Sequence, residues 1–297
     1  YTVGGFYFKQ SPRGTMQSYS INVCGLQQET GCPIGYSQIA VTNESKALYA
    51  QSTLDFGAFS PALENLRLTA GYRYTWDTVK GSTSSWSYYP LPGGNQFVTG
   101  CSWKSGAVTN ALTDCYFSAK LKSSSPNWTV GLDYRANRNV MVYAKVTRGY
   151  KAGGFNSYAV YDNTRTFGPE KLTDYEVGFK SDFNAGGMRG RLNVNGFYLD
   201  YQNIQRAAGD YNLATGGNGA ITLSTASAVI KGVEVEVMIQ PIEQVELGVN
   251  YSHLSAHYKS FKFNSSSGVW DCSAQSITSP KVFAGADMTC RPLQSLS

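Results

Sequence analysis

An alternation of apolar and polar residues with a period of two runs through much of this chain, and it predicts strands with one apolar face. In Leu66–Asp77, six apolar side chains alternate with residues that include Arg67, Arg73 and Asp77. Comparable runs predict about ten strands. They are Val3–Gln10, Lys46–Phe56, Leu66–Asp77, Asn127–Arg135, Tyr143–Lys151, Lys171–Phe183, Arg189–Tyr198, Ile230–Gln240, Val245–Ser252 and a strand that begins near Pro280.

Long connections follow the odd-numbered predicted strands, and short connections follow the even-numbered ones. The long connections are Ser11–Asn43, Lys80–Pro126, Ala152–Gly168, Gln205–Thr222 and the segment after Ser252. The short connections are Gly57–Glu64, Asn137–Asn139, Asn184–Gly187 and Pro241–Ile242. In an antiparallel meander this order places all long loops at one end of the sheet, as in outer-membrane barrels. A β-sandwich gives no reason for such sorting.

Composition agrees with a membrane barrel, and a secreted β-sandwich shares the same biases. Charged residues make up 15 % of the chain, below the ~25 % of soluble domains, and aromatic residues make up 13 %. No stretch approaches the ~18 consecutive apolar residues of a membrane helix, so strands would have to cross any membrane as a closed barrel. The net charge of +5 is spread along the chain, which gives no support to nucleic-acid binding.

Three segments resemble the central barrel region of TonB-dependent outer-membrane receptors. They read YAKVTRGYKAGGFN from Tyr143, PEKLTDYEVGFKSD from Pro169 and ENLRLTAGYRYTWD from Glu64. The resemblance implies an all-β fold, an antiparallel transmembrane β-barrel to which this chain supplies about ten of ~22 strands. Residues 1–297 would then form part of one barrel domain, with the plug domain and the closing strands outside the chain. The alternative is a complete small barrel of ten strands.

The same resemblance implies active transport. A receptor of this family would import a scarce nutrient, most commonly a ferric siderophore, across the bacterial outer membrane; cobalamin, haem and oligosaccharide are alternatives. Its partners would be a TonB-type energy-transducing protein acting through the plug, outer-membrane lipid and the small-molecule nutrient. A passive porin is the competing hypothesis. No enzyme activity and no cofactor are expected, since the sequence contains neither a nucleophile elbow nor a paired-acid motif.

Six cysteines fall as three local pairs in predicted long connections. Locality favours the bridges Cys24–Cys32, Cys101–Cys115 and Cys272–Cys290, although other pairings are open. Disulfides indicate an oxidising compartment, and the loop assignment predicts that they face the outside of the cell. Because the chain has no Cys-x-x-Cys unit and only two histidines, a metal site is not expected.

Charged residues on the polar side of the predicted strands are the first candidates for function. As the resemblance implies, they would face the barrel lumen and hydrogen-bond a movable plug across a wet interface that opens at low cost. Ordinary solubility is the alternative explanation. The candidates are Arg67, Arg73, Asp77, Asp133, Arg135, Asp174, Glu176, Lys180, Arg189, Arg191, Glu234, Glu236 and Glu246.

Aromatic and basic residues in or near the predicted outer loops are candidates for ligand contact. Aromatic rings could stack on a siderophore or a sugar, or could pack inside a disulfide-tied loop. Basic residues could attract an anionic ferric chelate, or could anchor the barrel at the membrane interface. The candidates are Trp86, Tyr88, Tyr89, Phe97, Trp103, Arg148, Lys151 and Arg165.

Overall fold

The computed structural model describes residues 1–21, 34–90, 96–101, 103–104, 106–211, 218–263, 270–277, 286–291 and 293. Its strands are β1 (Thr2–Gln10), β2 (Met16–Ile21), β3 (Ile34–Asp55), β4 (Leu66–Pro90), β5 (Gln96–Cys101), β6 (Tyr116–Asn137), β7 (Val140–Lys151), β8 (Gly154–Phe155), β9 (Thr166–Phe167), β10 (Glu170–Ala185), β11 (Met188–Tyr211), β12 (Asn218–Ile242), β13 (Val245–Ser260), β14 (Lys262–Phe263), β15 (Trp270–Asp271), β16 (Ser276–Ile277) and β17 (Ala286–Asp287). Short helical turns are α1 (Ala111–Asp114) and the 3-10 turns Phe56–Ala58, Pro61–Leu63 and Asp162–Thr164.

One antiparallel sheet of 11 strands contains most of the described residues. Its main path is β1-β3-β4-β6-β7-β10-β11-β12-β13, so each main strand pairs with the next one along the chain. β2 and β5 add to β3 and β4 at one end. The nine predicted strands from Val3 to Ser252 lie within these main strands and are confirmed. The predicted strand near Pro280 lies outside the described residues.

The predicted long and short connections fall at alternate ends of this path, but the β11–β12 connection, 212–217, is shorter than predicted and shorter than the β3–β4 connection, 56–65. The short ones lie at one end of the sheet, here called the turn end, and the long ones lie at the opposite loop end. Gly186 and Gly187 form a two-residue turn with φ of 61° and 85°, which suits a type I′ hairpin. The turn predicted at Pro241–Ile242 is wrong by two residues. Pro241 lies inside β12 at a register shift, and the reversal follows at residues 243–244.

Several strands extend much further toward the loop end than predicted. β3 begins at Ile34 and not at Lys46, β4 continues to Pro90, and β6 begins at Tyr116. β11 and β12 also extend through most of the predicted loop between residues 205 and 222. These extensions mix Ser, Thr and Gly with apolar residues, so the hydrophobic alternation fades while the backbone ladder continues.

β7 and β10 stop short at the loop end, and the segment 152–169 fills the space between their longer neighbours. Phe155 packs against Gly81 of β4, where any side chain larger than hydrogen would collide with its ring. Ala159 joins Phe117 of β6 and Ile221 of β12 in one buried cluster. The segment therefore connects the β3–β4–β6 extension with the β11–β12 extension.

The two faces of the sheet differ sharply. One face, here called the apolar face, leaves large side chains exposed, including Leu48 at 63 %, Val177 at 61 % and Val249 at 64 %. The opposite polar face carries ion pairs and hydrogen-bonded side chains. Among the described residues, no helix is both long and apolar enough to cross a membrane.

Candidate functional site

The strand register places all 13 predicted charged residues on the polar face. Arg67 lies opposite Asp133 across β4 and β6, and Asp182 lies opposite Arg191 across β10 and β11. Glu234 lies opposite Asn195 across β11 and β12. Because side chains alternate strictly along a strand, these pairings fix the facing of the remaining candidates on the same strands.

A compact hydrogen-bonded group occupies the middle of the polar face. Lys145 Nζ lies 2.7 Å from Glu176 Oε2, and the Tyr143 hydroxyl donates to Glu176 Oε1. Asp174 lies at the edge of this group, with its Oδ2 4.0 Å from Lys145 Nζ. Lys180 Nζ lies 5.6 Å from the centre of the Tyr143 ring. The group combines two carboxylates with two ammonium groups in a half-buried setting.

Smaller pairs surround this group. The Arg67 guanidinium binds Asp133 through two contacts of 2.9 and 3.0 Å, and Arg191 Nε lies 2.7 Å from Asp182 Oδ1. Two glutamates of β12 accept hydrogen bonds from asparagine amides of β11. These bonds are Asn193 to Glu236, 2.8 Å, and Asn195 to Glu234, 3.2 Å.

The other polar-face candidates have different surroundings. Arg73 lies between the rings of Phe6 and Tyr49, 5.0 and 5.9 Å from their centres, and its Nε donates to the Thr75 hydroxyl. Arg189 and Glu246 line a shallow groove with Asp182 at the turn end. Of the two remaining candidates, Asp77 lies in the middle of β4, opposite Ser45 of β3 and Ser123 of β6, and Arg135 lies near the turn end of β6.

Two polar acceptors of this face have no hydrogen-bond partner in the described part of the chain. They are Asp174 Oδ1 and Asn127 Oδ1, and both atoms are buried. A buried acceptor without a donor costs free energy, which is recovered when a partner supplies an N–H or O–H group. Because both atoms are buried, a second body could reach them only after the neighbouring side chains moved.

At the loop end, the buried carboxylate of Glu170 gathers three donors. It accepts from the Tyr201 hydroxyl at 2.9 Å and from the backbone N–H of Gln205 at 2.8 Å. Lys151, a predicted ligand residue, lies 3.4 Å from the same carboxylate. Lys151 also leaves most of its side chain exposed, at 64 %, so its ammonium is paired and remains accessible.

Asn156 and Asp210 hold the segment 152–169 in place. The Asn156 amide donates to the carbonyl oxygens of Thr164 and Thr222 and accepts from the Thr222 N–H, all at 2.8 Å. Asp210 Oδ2 accepts from the Val160 N–H at 3.0 Å and from the Thr164 hydroxyl at 2.6 Å. Neither residue carries a sequence motif, and their role depends on contacts across more than 40 residues.

Two of the predicted ligand residues, Arg165 and Trp103, lie in contact with each other. The Arg165 guanidinium lies 4.9 Å from the centre of the Trp103 ring and 4.5 Å from that of Phe117. Phe117 in turn contacts the ring of Phe155 at 5.8 Å. Arg165 also binds Asp162 at 2.6 Å. The Arg165 side chain is only 19 % exposed and Phe117 is buried, so these groups form a packed cluster at the loop end with little open surface.

The other predicted ligand residues are placed differently. Trp86 and Tyr88 are both only 7 % exposed, because they pack with the Cys101–Cys115 bridge, so neither ring presents an open stacking face. Arg148 lies within β7 on the apolar face, opposite Trp128, a position that suits the alternative role of an interface anchor better than ligand contact. The side chains of Tyr89 and Phe97 lie outside the described residues.

Two of the three predicted disulfides are present. Cys101 is bonded to Cys115, and Cys272 is bonded to Cys290. Both bridges lie at the loop end of the sheet. The predicted Cys24–Cys32 bridge lies outside the described residues. Within the described ranges, no group of three His, Cys, Asp or Glu side chains is arranged to hold a metal ion.

Comparison with known proteins agrees with this geometry. A family model described as TonB dependent receptor-like, beta-barrel matches residues 1–284. The fold is similar to that of the ferric yersiniabactin uptake receptor FyuA from Yersinia pestis, with 16 % identity and a TM-score of 0.54 over 86 % of this chain. The siderophore receptor PiuA from Acinetobacter baumannii gives 16 % identity and a TM-score of 0.54 over 93 % of this chain.

At such identities the likeness concerns the fold alone. The chain spans 35 % of the length of the first structure and 37 % of the second. An antiparallel meander with one exposed apolar face and one ion-paired face is a segment of barrel wall. The family match covers nearly all of this segment. The chain therefore belongs to the TonB-dependent receptor family and forms part of its β-barrel domain.

Proposed function

We propose that this chain forms part of the wall of a transporter that imports a ferric siderophore across the bacterial outer membrane, driven by a TonB-type protein. One observation carries the membrane location. Along the apolar face, no charged side chain occurs from Leu66 to Trp76 on β4 or from Thr173 to Phe183 on β10. Each uncharged stretch matches the ~9–11 residues with which a tilted strand crosses the hydrocarbon core.

The polar face is proposed to line the lumen and contact the plug. Most charged side chains of this face have a partner within the wall. They would therefore stay paired if the plug moved away. The exposed carboxylates of Glu234 and Glu236 would accept hydrogen bonds from the plug. Such a hydrated interface can separate without exposing apolar surface, which suits a plug that must move during transport.

The loop end is proposed to face the outside of the cell and to receive the nutrient. Lys151 presents an accessible ammonium, and Trp103 places a half-buried ring beside the Arg165 guanidinium, which is paired with Asp162. These groups suit an anionic ferric chelate, because a cation attracts its charge and an aromatic ring packs against its body. Both described disulfides would then face the oxidising exterior.

The test is nutrient uptake by cells that carry the full-length receptor, in matched strains with and without the TonB-type protein. Radiolabelled iron is supplied with anionic ferric siderophores; haem, cobalamin and oligosaccharides are supplied in parallel. The proposal expects siderophore-dependent iron uptake only when both proteins are present. Uptake of another nutrient with the same dependence would replace the substrate assignment. Uptake that does not need the TonB-type protein would contradict the transport mechanism.

Conductance separates this proposal from a passive porin. The full-length receptor in a planar lipid bilayer should show almost no steady current, because a plug fills the lumen. A large, stable conductance without added denaturant would favour a passive channel and overturn the proposal.

A further inference from the structure

Lys151 and Glu170 form a loose ion pair at the loop end of the polar face. They lie directly opposite each other across β7 and β10, on the same face as Lys145 and Glu176. Lys151 Nζ lies 3.4 Å from Glu170 Oε1. A hydrogen bond between an ammonium and a carboxylate is usually about 2.7–2.9 Å long, so this contact is longer than a close pair. Lys145 and Glu176, at 2.7 Å, form such a close pair on the same two strands.

The two partners of the loose pair differ in burial. The Glu170 side chain is only 7 % exposed, whereas the Lys151 side chain is 64 % exposed. Gly149 precedes Lys151 on the same face of β7, and a Cβ atom at Gly149 would have no neighbouring side chain within 4 Å. The Lys151 ammonium therefore has open space beside it on the polar face.

Glu170 does not depend on Lys151 for its hydrogen bonds. Its Oε1 accepts from the Tyr201 hydroxyl at 2.9 Å, and its Oε2 accepts from the Gln205 backbone N–H at 2.8 Å. Each carboxylate oxygen thus keeps a donor when the ammonium moves away. A buried carboxylate that loses its last partner is strongly destabilised, and this one retains two donors. The ion pair can therefore open at low cost.

The backbone beside the pair is held in place independently of the ion pair. The Gln205 side-chain amide donates to the carbonyl oxygen of Ala152 at 2.8 Å and to that of Gly168 at 3.2 Å. These two carbonyl groups lie near the two ends of the segment 152–169, and Ala152 directly follows Lys151. The Lys151 ammonium can therefore change its partner while the wall around it stays in place.

We infer that Glu170 is an internal counter-anion of Lys151, which a ligand must replace in order to bind the Lys151 ammonium. The inference rests on the proposed uptake of an anionic ferric chelate. A chelate with several negative charges attracts the ammonium more strongly than one carboxylate does. A chelate without charge gains nothing from Lys151. Glu170 thereby determines specificity, because it adds a competitor that only multiply anionic chelates displace.

The test measures chelate affinity by tryptophan fluorescence, with the full-length receptor purified in a neutral detergent. The probes are the multiply anionic iron(III) tris-catecholate complex and an uncharged iron(III) trihydroxamate complex. The variants are Glu170→Gln, Lys151→Gln and the two changes combined. The matched control is Glu44→Gln, which breaks a Lys–Glu pair of 2.7 Å with Lys46 on the opposite face of the sheet. Heat-dependent migration on a denaturing gel confirms that each variant contains a folded barrel.

An exposed ion pair changes an equilibrium constant by up to about fivefold, so Glu170→Gln should bind the tris-catecholate about three- to fivefold more tightly. The trihydroxamate affinity of this variant, and both affinities of the control, should stay within about twofold of the unmodified receptor. When Lys151→Gln is already present, adding Glu170→Gln should change the tris-catecholate affinity by less than about twofold. A gain that persists without Lys151 would overturn the inference, as would an unchanged or weaker affinity in Glu170→Gln.

A second measurement needs no nutrient. Acetylation of Lys151 by an amine-reactive ester, followed by mass spectrometry, reports how often the amine leaves the carboxylate. The rate should rise about three- to fivefold in Glu170→Gln and stay unchanged in Glu44→Gln. If Glu170→Gln does not fold, Glu170→Asp takes its place, since it withdraws the carboxylate by one methylene and should shift both measurements in the same direction. Equal acetylation rates with and without the change at Glu170 would contradict the counter-anion role.

Failure of the proposed transport function is recognised separately. A receptor that takes up no iron and binds neither chelate, yet is acetylated faster at Lys151 without Glu170, would contradict the transport proposal alone. A receptor that takes up iron with the TonB-type protein, but shows the same affinity and acetylation rate with and without Glu170, would contradict the counter-anion inference alone.

Discussion

The side chain of Asn156 makes hydrogen bonds that the backbone of a neighbouring strand would otherwise make at the loop end of the sheet. Its side-chain amide makes both a donor and an acceptor contact with the backbone of Thr222, as a neighbouring strand would. The same amide also donates to Thr164 within its own segment. One buried side chain, 5 % exposed, therefore joins the segment 152–169 to β12.

Replacement Asn156→Ala should loosen this segment. The change removes three hydrogen bonds to the half-buried backbone of Thr222 and Thr164, which together are worth on the order of 2 kcal/mol. Hydrogen exchange in residues 152–169 of the full-length receptor should become roughly 10- to 100-fold faster, as measured by mass spectrometry. The exposed neighbour Asn163→Ala is the matched control and should leave exchange unchanged. Equal rates in the two variants would show that Asn156 does not hold the segment.

Asp271 organises a loop next to the Cys272–Cys290 bridge. Hydrogen bonds from the Ala274 N–H and the Ser273 hydroxyl stabilise the charged carboxylate and lower the pKa of Asp271 to about 2. Because the folded pKa lies below the ordinary value of ~3.9, its contribution to stability is complete above about pH 4 and is lost as the pH falls through about 2.

The order of residues 271–277 should therefore persist at pH 4 and decrease toward pH 2. Hydrogen exchange in the full-length receptor, corrected for the intrinsic effect of pH on exchange, measures this order. The variant Asp271→Asn cannot titrate, so its protection should not change over the same range. A loop whose protection falls between pH 7 and pH 4 would contradict this assignment.

At the scale of elements, the Cys101–Cys115 bridge supports the extension formed by β4 and β5. Both sulfur-bearing residues are buried, and Trp86 and Tyr88 pack against them. The Trp103 indole N–H donates to the Cys115 carbonyl oxygen at 3.1 Å. This bond fixes the Trp103 ring, against which the Arg165 guanidinium lies. The bridge thus positions part of the proposed ligand surface and not only its own loop.

The variant Cys101→Ala/Cys115→Ala should open this element. A bridge across 14 residues stabilises a fold by about 3 kcal/mol, so local opening should become roughly 100-fold more frequent. Trypsin cleavage after Lys104 reports that opening in the receptor held in detergent micelles. The variant Cys272→Ala/Cys290→Ala removes the other described bridge and should leave cleavage after Lys104 slow. Slow cleavage in both variants would show that packing alone holds the element.

Sequence patterns predicted the strands well only where the two faces of a strand contact different environments. Leu66–Asp77 alternates strongly because its apolar side chains stay exposed while Arg67 and Arg73 face the polar side. The extension of β4 from Gly81 to Pro90 pairs just as regularly, but its Ser and Thr residues lie on both faces. Since a ladder needs only backbone groups, such extensions are invisible to a hydrophobic pattern.

At the scale of the whole molecule, some features of the candidate site could be predicted from the sequence and others could not. The facing of the 13 charged residues was predictable, because alternation fixes which side of a strand each residue occupies. The contacts of Asn156 and Asp210 were not, since they depend on which distant strand extensions meet across the segment 152–169.

The proposed position of the molecule in the membrane rests on the uncharged stretches of β4 and β10 on its apolar face, and it can be tested on β6. Val130 lies opposite Ala70 of the β4 stretch and is 46 % exposed, whereas Ser118 lies on the same face of β6 in its loop-end extension. In a bilayer, arginine at the midplane costs about 2–4 kcal/mol, and near or beyond the interface it costs about 0–1 kcal/mol.

We therefore expect Val130→Arg to lower the free energy of unfolding by about 2–4 kcal/mol, and Ser118→Arg to lower it by less than about 1 kcal/mol. Urea titration of the full-length receptor, refolded into phospholipid vesicles and followed by tryptophan fluorescence, measures both values. The two sites share a strand, a face and an exposed setting, so depth in the lipid is the main difference between them. Equal effects would mean that this face contacts water, and the barrel orientation proposed for the chain would be wrong.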